Sequence, residues 1–457
     1  MSAPTVRPRA SRRPVVALLG AYGISLVGTR LSMIALPLFV LETTGSATRT
    51  GLVAMAEMGP YVVVQALSGP ITDRVGARRI SLVSDVASVV LVGAIPVLHA
   101  LGMLHLATLL VLVALAGGLR GPGDAAKYVM VPPVAATSAL PVERVLGLED
   151  GISRAASVVG PLAAAALVAL LGPATAIGLD AASFALAALV VGLALHPKDV
   201  RAVPSDDAPT APEEPDGYWQ RLRSGARFVR QDGLLRSIVG MIAVTNLLDA
   251  AYSGVLVAVW AQHRGGGAGL MGSSAAFMAG GAVIGALVAT AVGHRLPRRA
   301  AFAIGFFGIG APRFAVLGLD APLWLVFTVL FVGGIGAGMI NPILGAVELE
   351  RTPEHLRARV MSLITSAAWA LIPFGGLLGG VLSTHLGIGT ALLVCGGAYL
   401  VATTLPVLRP EWRGMNRGPA STLEPVEEPA PEPLVEDPAG RPEAPVREIV
   451  TFDVPAR

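Results

Sequence analysis

Runs of apolar residues separated by short polar gaps make up most of this chain. Each run holds about 20 residues or more, and at about 1.5 Å per helical residue that length crosses a hydrocarbon core about 30 Å thick. Reading the runs between Gly, Pro and charged breakers predicts twelve helices. They are 15–41, 50–70, 80–100, 104–127, 147–171, 174–195, 237–261, 270–292, 300–318, 322–347, 360–384 and 388–408. The pattern therefore predicts an all-α integral membrane protein with twelve transmembrane helices.

The composition argues against several other classes of protein. Of the 457 residues 53% are apolar and 14% are charged, whereas soluble domains carry about 25% charged residues. The net charge of +3 gives no reason to expect binding to nucleic acid. The single cysteine, Cys395, permits no intrachain disulfide and belongs to no metal-binding cluster. The sequence has no P-loop lysine motif, and we expect neither a metal nor a cofactor.

Charges in the gaps predict the orientation in the membrane, because Arg and Lys are retained on the cytoplasmic side. The gaps that follow even-numbered helices are rich in Arg, whereas the opposite gaps hold only Arg49 and Arg264. Both termini are therefore predicted to be cytoplasmic, in a plasma-membrane protein. An interfacial aromatic belt is predicted from tryptophans near the ends of the spans: Trp219, Trp260, Trp324 and Trp412.

The gaps also divide the chain into five segments. Residues 1–14 form a cytoplasmic tail, and the following apolar stretch is interpreted as an uncleaved first span because no cleavage site ends it. Residues 15–195 and 237–408 each hold six spans. The central loop 196–236 begins with the Pro-rich acidic stretch "SDDAPTAPEEPD" and continues into an amphipathic helix, either on the membrane surface or capping the loops. The Pro- and Glu-rich tail 409–457 is predicted to be disordered.

The two six-span segments resemble each other in sequence. "RVLGL" at Arg144 aligns with "RVMSL" at Arg359, and at the same offset Gly160 aligns with Gly375 and Gly172 with Gly387. The segment 75–79 after helix 2 has a counterpart in 296–299 after helix 8. A parallel repeat of two six-helix, pseudo-symmetric halves is typical of transporters that alternate access to a site between the halves.

The gap between helices 2 and 3 carries the stretch "GPITDRVGARR", called here the motif loop. It resembles the signature G-x-x-x-D-R-x-G-x-[RK]-[RK] of the major facilitator superfamily. With the span count, central loop and repeat, the resemblance covers about residues 14–408, and it implies that fold and a role in secondary transport. The positions that match are Gly69, Asp73, Arg74, Gly76, Arg78 and Arg79.

The resemblance implies that the motif loop is part of a gate. Gly76 permits a tight turn, and Asp73 can lie against the positive end of the eleventh helix. The arginines can pair with an acid at the base of helix 4, for which Asp124 is the natural candidate. Such pairs would hold the cytoplasmic side closed in one state. The alternative is a basic cluster that only sets the topology. The second copy, "GHRLPRR", has His294 roughly at the position of Asp73 and is expected to be weaker.

Other stretches resemble actinobacterial exporters of the drug-antiporter type, such as "LETTGS" at 41–46 and "GLEDGISRAASVVGP" at 147–161. In antiporters helix 5 often carries G-P-x-x-G-G. This chain keeps Gly160 and Pro161 but has alanines in place of the glycine pair, which weakens the assignment to antiport while still allowing close packing.

Ionisable residues inside spans are costly and therefore candidates for function. Asp249 is the first choice, because it lies near the middle of helix 7 in a polar stripe with Thr245, Asn246 and Tyr252. The alternative is a structural pair with an arginine on another helix. The full set is Arg30, Glu57, Asp85, Arg120, Arg154, Asp180, Asp249 and Arg313.

Three further members of this set are assigned to the cavity. Glu57 on helix 2 is a candidate proton or cation site, and Arg30 on helix 1 lies at a depth that allows the two to pair. Arg120 resembles the arginine of the family's helix 4 motif and is a candidate for proton coupling; the alternative is an arginine that extends to the membrane surface. Asp85 is more easily explained as structural.

These observations predict a secondary transporter, not an enzyme. It would export an amphipathic small molecule in exchange for protons by alternating access, as a monomer in the lipid bilayer. Alternatives are an importer of a small nutrient with the same fold and a non-transporting membrane scaffold or sensor. A membrane-embedded enzyme is disfavoured, since the spans hold no midspan histidine and contain just one cysteine.

Overall fold

The computed structural model describes residues 11–200, 227–292, 297–352 and 357–416. Every regular element in these ranges is helical, and twelve helices within them are long and apolar enough to cross a membrane. The predicted all-α class and the number of spans are confirmed. The tail 417–457, Trp219 and most of the predicted central-loop helix lie outside the described residues.

Nine of the spans are built on one long helix each, and three are interrupted. The uninterrupted helices are span 1 Arg13–Thr44, span 2 Ala47–Val75, span 3 Ala77–Ala100, span 4 Leu106–Val129, span 5 Val142–Leu171, span 6 Pro173–Ala194, span 8 Gly267–Val292, span 10 Leu323–Arg351 and span 12 Ile388–Leu408. A short helix, Val131–Thr137, extends span 4. The predicted spans agree with these helices to within a few residues at most ends.

The interruptions have local causes in the sequence. Span 7 runs as Gly233–Ala251, a π-helical turn Tyr252–Leu256 and Val257–His263. Span 9 is Arg298–Ile309 followed by Ala311–Gly318, and the break at Gly310 precedes a proline. Span 11 is Arg357–Trp369 followed by Ile372–Leu386, also with a proline at the start of its second part. Prolines lack an N–H group and π-turns leave one bond unmade, so each break exposes backbone groups inside the bundle.

The predicted repeat is visible in equivalent turns. Gly172 between spans 5 and 6 has φ 79° and ψ 158°, and Gly387 between spans 11 and 12 has φ 77° and ψ 158°. Both lie in a region that L side chains rarely adopt. Arg78 donates to the carbonyls of Leu195 and Gly192, at the end of span 6, at 2.7 and 2.9 Å.

Arg299 repeats this contact in the second half. It donates to the Val407 carbonyl at 2.7 Å, at the end of span 12. A guanidinium there satisfies carbonyls that have no helical partner and carries a charge that the helix dipole favours. The two arginines therefore serve the same purpose in the two halves.

The two halves meet at one end of the bundle. We call this end, which carries the loops 1–2, 5–6, 7–8 and 11–12, the first-loop end; the opposite end carries the motif loop and is called the motif end. A Cβ on Gly51 of span 2 would lie 2.2 Å from the carbonyl oxygen of Gly376 in span 11. A Cβ on Gly272 of span 8 would lie 2.5 Å from the carbonyl oxygen of Pro161 in span 5. Backbones this close need glycine, as in other packed membrane helices.

Hydrogen bonds between spans 2 and 11 lie at the same end. The Thr48 and Thr384 hydroxyls are 2.8 Å apart, and Thr48 also donates to the Gly380 carbonyl at 3.4 Å. Among the described residues at the motif end, two apolar clusters are each confined to one half. One joins the ends of spans 1, 4, 5 and 6 in the first half, and another joins Val229, Leu235, Val360 and Ile364 in the second half. The described residues therefore form a bundle that is closed at the first-loop end.

Two sequence-based expectations need correction. Trp260 and Trp412 are buried, so they do not form part of a lipid-facing belt; Trp324 is 68% exposed and is free to do so. The fold also continues beyond the predicted boundary at 408. A 3₁₀ helix, Pro410–Asn416, places the Trp412 ring 5.5 Å from that of Phe302. The indole N–H of Trp412 also donates to the Ser237 hydroxyl at 2.9 Å.

Candidate transport site

A charged cavity lies within the first half of the bundle, among spans 1, 2, 3, 4 and 6. Its volume is about 30 Å³, which is enough for one or two water molecules. It is lined by three charged side chains, Glu57, Arg120 and Asp180, and two hydroxyls, Ser32 and Ser88. The remaining lining is apolar or glycine, so interactions between these charges are weakly screened.

Arg120 lies at the centre of this cavity. Its guanidinium is 3.5 Å from the Glu57 carboxylate and donates to the Thr29 hydroxyl. The ring of Phe184 lies 5.7 Å from the guanidinium carbon, close enough for a cation–π contact. Gly117 allows the approach of span 4 to span 2, since a Cβ there would lie 2.1 Å from the Glu57 carbonyl oxygen. Glu57 therefore pairs with Arg120, whereas Arg30 lies on a different face.

Asp180 enters the same cavity from span 6 and is 1% exposed. Its carboxylate accepts a hydrogen bond from the Ser32 hydroxyl and a second from Ser183 at 3.4 Å. The span 1 backbone lies directly against it, since a Cβ on Gly28 would be 2.3 Å from an Asp180 oxygen. No basic side chain of the described residues lies within ion-pair distance of Asp180.

A separate ion pair lies nearer the motif end. Lys127 of span 4 and Asp85 of span 3 are 2.8 Å apart, and both side chains are 3% exposed. Lys127 also lies 3.4 Å from the Ser25 hydroxyl. Asp85 therefore pairs with a lysine of the neighbouring span and not with the arginines of the loop. A buried pair with such partners holds spans 1, 3 and 4 in register.

Asp249, the first-choice proton site, pairs with Arg313 of span 9. The Arg313 side chain is 3% exposed, whereas that of Asp249 is 35% exposed. Three aromatic rings surround the guanidinium carbon: Tyr252 at 4.6 Å, Phe314 at 4.9 Å and Tyr399 at 5.6 Å. The arginine thus lies in an aromatic cage with the acid as its counter-charge, and the pair is the structural arrangement that sequence reasoning kept as an alternative.

Two neighbours of Asp249, Asn246 and Tyr252, make contacts at places where helices are interrupted. Asn246 donates from its side chain to the Ala368 carbonyl at 2.9 Å, one of the carbonyls left without a partner where span 11 breaks. Tyr252 begins the π-turn of span 7, and its ring meets that of Phe314 edge-on at 5.5 Å. Both residues tie span 7 to a broken helix.

Arg30 and the Gly160–Pro161 pair form a contact between spans 1 and 5. Arg30 donates to the Ser157 hydroxyl at 2.9 Å. Gly160 leaves room for the Arg30 side chain, since a Cβ would lie 3.0 Å from its Cγ. Pro161 then faces span 8 at Gly272. The helix 5 motif therefore packs span 5 against span 1 and against the other half.

The residues of the motif loop have different environments. Gly76 ends span 2 with φ 92°. Arg78 binds span 6 as described, and Arg74 and Arg79 are exposed. The backbone of Gly69 and Asp73 belongs to span 2, but the burial of Gly69 and the side chain of Asp73 are not among the features that the structure describes. The predicted partner of the arginines, Asp124, is exposed and lies within electrostatic range of Arg120 and Lys127; no ion pair joins it to the described loop arginines.

Sequence reasoning missed three participants. Lys127 was overlooked as one of only two lysines, although a lone ionisable residue at the end of an apolar run is a signal in itself. Arg313 and Asp180 were recognised as costly but given no role. Their partners lie on other spans, and spacing along one helix carries no information about them.

Comparisons with known proteins agree with this architecture. A family model described as Major Facilitator Superfamily matches residues 18–250 and 238–448. A relative named multidrug efflux pump Tap, from Mycobacterium tuberculosis strain H37Rv, is 30% identical over 410 residues, which are 87% of this chain and 95% of the relative. The protein of the same name from Mycolicibacterium fortuitum is 26% identical over 408 residues, which are 89% of this chain and 98% of the relative.

Solved structures show the same fold at low identity. A bacterial homologue of the human lysosomal transporter Spinster, solved in an inward-facing and unoccupied conformation, superposes with a TM-score of 0.68 at 14% identity. The alignment covers 89% of this chain and 97% of that one. The nucleoside transporter NupG gives 0.65 at 12% identity, over 85% of this chain and 97% of that one. By its family match and its relatives, the chain belongs to the Major Facilitator Superfamily.

Proposed function

We propose that the protein is a monomeric exporter that moves an amphipathic small molecule out of the cytoplasm in exchange for protons. The relatives named multidrug efflux pump support the efflux class, and their alignments cover most of both chains. The observation that carries the proposal is a combination of two features: the bundle is closed at one end, and charged groups are buried along its interior. A passive scaffold has no need of either feature.

The closed end is assigned to the outside of the membrane. Arginines cluster at the motif end and are scarce at the first-loop end, and the positive-inside rule places such clusters in the cytoplasm. Span 1 begins and span 12 ends at the motif end, so both termini would be cytoplasmic. The described conformation then opens toward the cytoplasm, the state in which an exporter loads its cargo. Residues 15–195 and 237–408 would move against each other as two halves.

The motif loop acts in the opposite state. In the described conformation Arg74 and Arg79 are exposed and Asp124 is exposed beside the charged cavity. When the halves close at the motif end, these arginines and Asp73 can pair with Asp124 and with the start of span 11. Exposed pairs contribute about 1 kcal/mol or less each, so the latch is weak enough to reverse within a transport cycle.

Proton coupling is assigned to carboxylates within the spans, with Glu57 and Asp249 as the sites. Each is paired with an arginine that a proton would release: protonated Glu57 frees Arg120, and protonated Asp249 frees Arg313. Arg30, Asn246 and Tyr252 are further residues of the proposed site. Each joins two spans: Arg30 bonds to Ser157, Asn246 to the Ala368 carbonyl, and the Tyr252 ring packs on Phe314. A proton arriving from outside would thereby loosen contacts that hold one conformation, which is how a binding event shifts a two-state equilibrium.

The test is uptake of amphipathic cations into liposomes that hold the purified protein, driven by an imposed pH gradient. The parent should accumulate cargo only with the gradient, and Glu57→Gln or Asp249→Asn should abolish accumulation. Asp320→Asn is the matched control, because Asp320 is an exposed loop acid with φ 52°, a conformation that Asn tolerates. Gradient-independent uptake that both variants retain would reject proton coupling and favour a uniporter.

An importer of a small nutrient is the second candidate. A solved nucleoside transporter shares the fold, but at this identity the likeness concerns the fold alone. The same liposomes distinguish the two, because an importer coupled to protons moves both in one direction.

A further inference from the structure

Among the described residues, interior charges form three groups, of which one is unbalanced; Glu348, near the motif end of span 10, is a further buried acid outside these groups. Asp249 and Arg313 are one acid and one base. Asp85 and Lys127 are likewise one acid and one base. The cavity of the first half contains two acids, Glu57 and Asp180, and one base, Arg120. With every group ionised, this cavity would hold one negative charge in excess.

The excess lies on Asp180. Arg120 contacts Glu57 and Thr29, whereas Asp180 receives only hydroxyl groups from Ser32 and Ser183. Its side chain is 1% exposed, so bulk water does not supply the missing compensation. An isolated buried carboxylate is costly enough that it neutralises by taking up a proton instead. The cavity that both carboxylates line has room for a water molecule, which can carry that proton.

The wider surroundings do not remove the excess. Asp180, Asp124, Glu57 and Tyr61 all lie within electrostatic range of Arg120, so one guanidinium faces three acids, and Asp124 adds a further acid. Arg30 is in range of Arg120 but is held by Ser157 on span 5. The Lys127 charge is matched by Asp85. From span 3 the cavity receives only the Ser88 hydroxyl. Counting these groups together still leaves one acid more than the bases.

We propose that Asp180 binds the coupling proton and that Arg120 chooses which of the two cavity acids holds it. In the described conformation Arg120 is within ion-pair distance of Glu57 and acts on Asp180 only at longer range, so the proton belongs to Asp180. If Arg120 turns toward Asp180, that carboxyl group releases its proton to Glu57 or to water. Asp180 then carries the negative charge that Arg120 neutralises. This inference rests on the proposed proton-coupled function and adds a proton site in the first half, at an acid that has no basic partner within ion-pair distance.

The first experiment requires no cargo and does not depend on transport. Infrared difference spectra of the purified protein, recorded between pH about 6 and pH about 9, report the carbonyl stretch of buried protonated carboxyl groups, because exposed carboxyl groups are already ionised in that range. The parent should show a band that Asp180→Asn removes and that the exposed control Asp320→Asn retains. A band that persists in Asp180→Asn overturns the inference. Thermal unfolding of each variant in detergent establishes that the spectra come from folded protein.

A second variant keeps the carboxyl group and guards against misfolding. Ser32→Ala removes the hydroxyl donor and leaves Asp180 in place, so the band should remain while its pH midpoint moves. An unchanged midpoint would contradict a proton on Asp180. Repeating the series with and without sodium separates a proton from a metal cation, and a band that sodium abolishes would assign the site to sodium instead.

Transport then distinguishes failure of the site from failure of the proposed function. Asp180→Asn should lose gradient-driven cargo accumulation by at least tenfold, yet retain exchange of labelled for unlabelled cargo without a gradient. If the parent also shows no response to a gradient, the proposed function fails, while the infrared result still decides whether Asp180 carries a proton. Full gradient-driven accumulation by Asp180→Asn would overturn the inference alone.

Discussion

Arg313 offers the sharpest test of how the second half is held together. Replacing it by Met keeps much of the length of the side chain and removes the charge and the hydrogen bond to Asp249. Removing one partner from a buried ion pair costs about 3–5 kcal/mol. The Asp249 side chain is 35% exposed, so water compensates part of the loss. We therefore expect a cost of about 3 kcal/mol for Arg313→Met, at the lower end of that range.

Two other contributions act on this value. The guanidinium is surrounded by three aromatic rings, and a cation–π contact in a desolvated site is worth about 2 kcal/mol. Met also contacts aromatic rings favourably, by about 0.3–1.5 kcal/mol, and replaces much of that contribution. The charge left on Asp249 is therefore the larger part of the cost, and Asp249→Asn in the same chain should relieve it.

The assay is denaturant unfolding in detergent of the parent, the two single variants and the double variant Asp249→Asn/Arg313→Met. The double variant should be more stable than Arg313→Met alone, with a coupling free energy of about 1–3 kcal/mol between the two sites. If the costs of the two single changes simply add, the two residues do not stabilise each other. That result would refute the claim that Asp249 is the counter-charge of Arg313 in its aromatic cage.

Three further predictions concern the ends of the bundle. Gly51→Leu should separate span 2 from span 11 at Gly376, and labelling of a cysteine placed at the first-loop end should increase severalfold. Arg78→Met removes two capping hydrogen bonds from span 6 and should cost about 1–2 kcal/mol in detergent unfolding. Glu350 lies beyond Gly345, where the apolar part of span 10 ends. Two hydrogen bonds from Arg298, at 2.5 and 2.8 Å, lower the pKa of Glu350 below its ordinary value. This pair contributes stability above pH about 4.5 that is lost as the pH falls further, and Glu350→Gln should remove that dependence, worth about 1 kcal/mol or less.

Each of these has a contrary result. Unchanged labelling in Gly51→Leu would mean that the halves do not close at that seam. An unchanged midpoint in Arg78→Met would mean that the carbonyls of span 6 find water instead. Acid unfolding that is the same with and without the Glu350 carboxylate would mean that the pair is fully screened.

The sequence predicted the helices well because membrane spans are long and uniform. Runs of apolar residues marked all twelve spans, and loop arginines and the repeated glycines indicated two related halves. The interruptions of spans 7, 9 and 11 were not predicted, since a proline or a π-turn leaves the apolar run intact. Trp412 was misplaced because proximity to a span end does not reveal whether a ring faces lipid or a neighbouring helix.

Prediction of the site was limited by the absence of distances between spans. Periodicity within one helix identified Asp249, Glu57 and Arg120 as unusual, but their partners depend on which faces meet. Arg313 and Lys127 received a role only when the fold brought each of them to an acid on another span. The role of Asp180 depends on a count of charges in one cavity, a property that no single stretch of sequence contains.

Exchange of cargo for protons is the central claim, and simultaneous measurement of both in liposomes tests it most directly. The purified parent is reconstituted with a pH-sensitive dye inside, a gradient of an amphipathic cation is imposed without a pH gradient, and cargo and proton movements are followed together. The account predicts that protons move against the direction of the cargo and that Asp320→Asn behaves as the parent does. Cargo that moves with no proton movement, or with protons in the same direction, would contradict it.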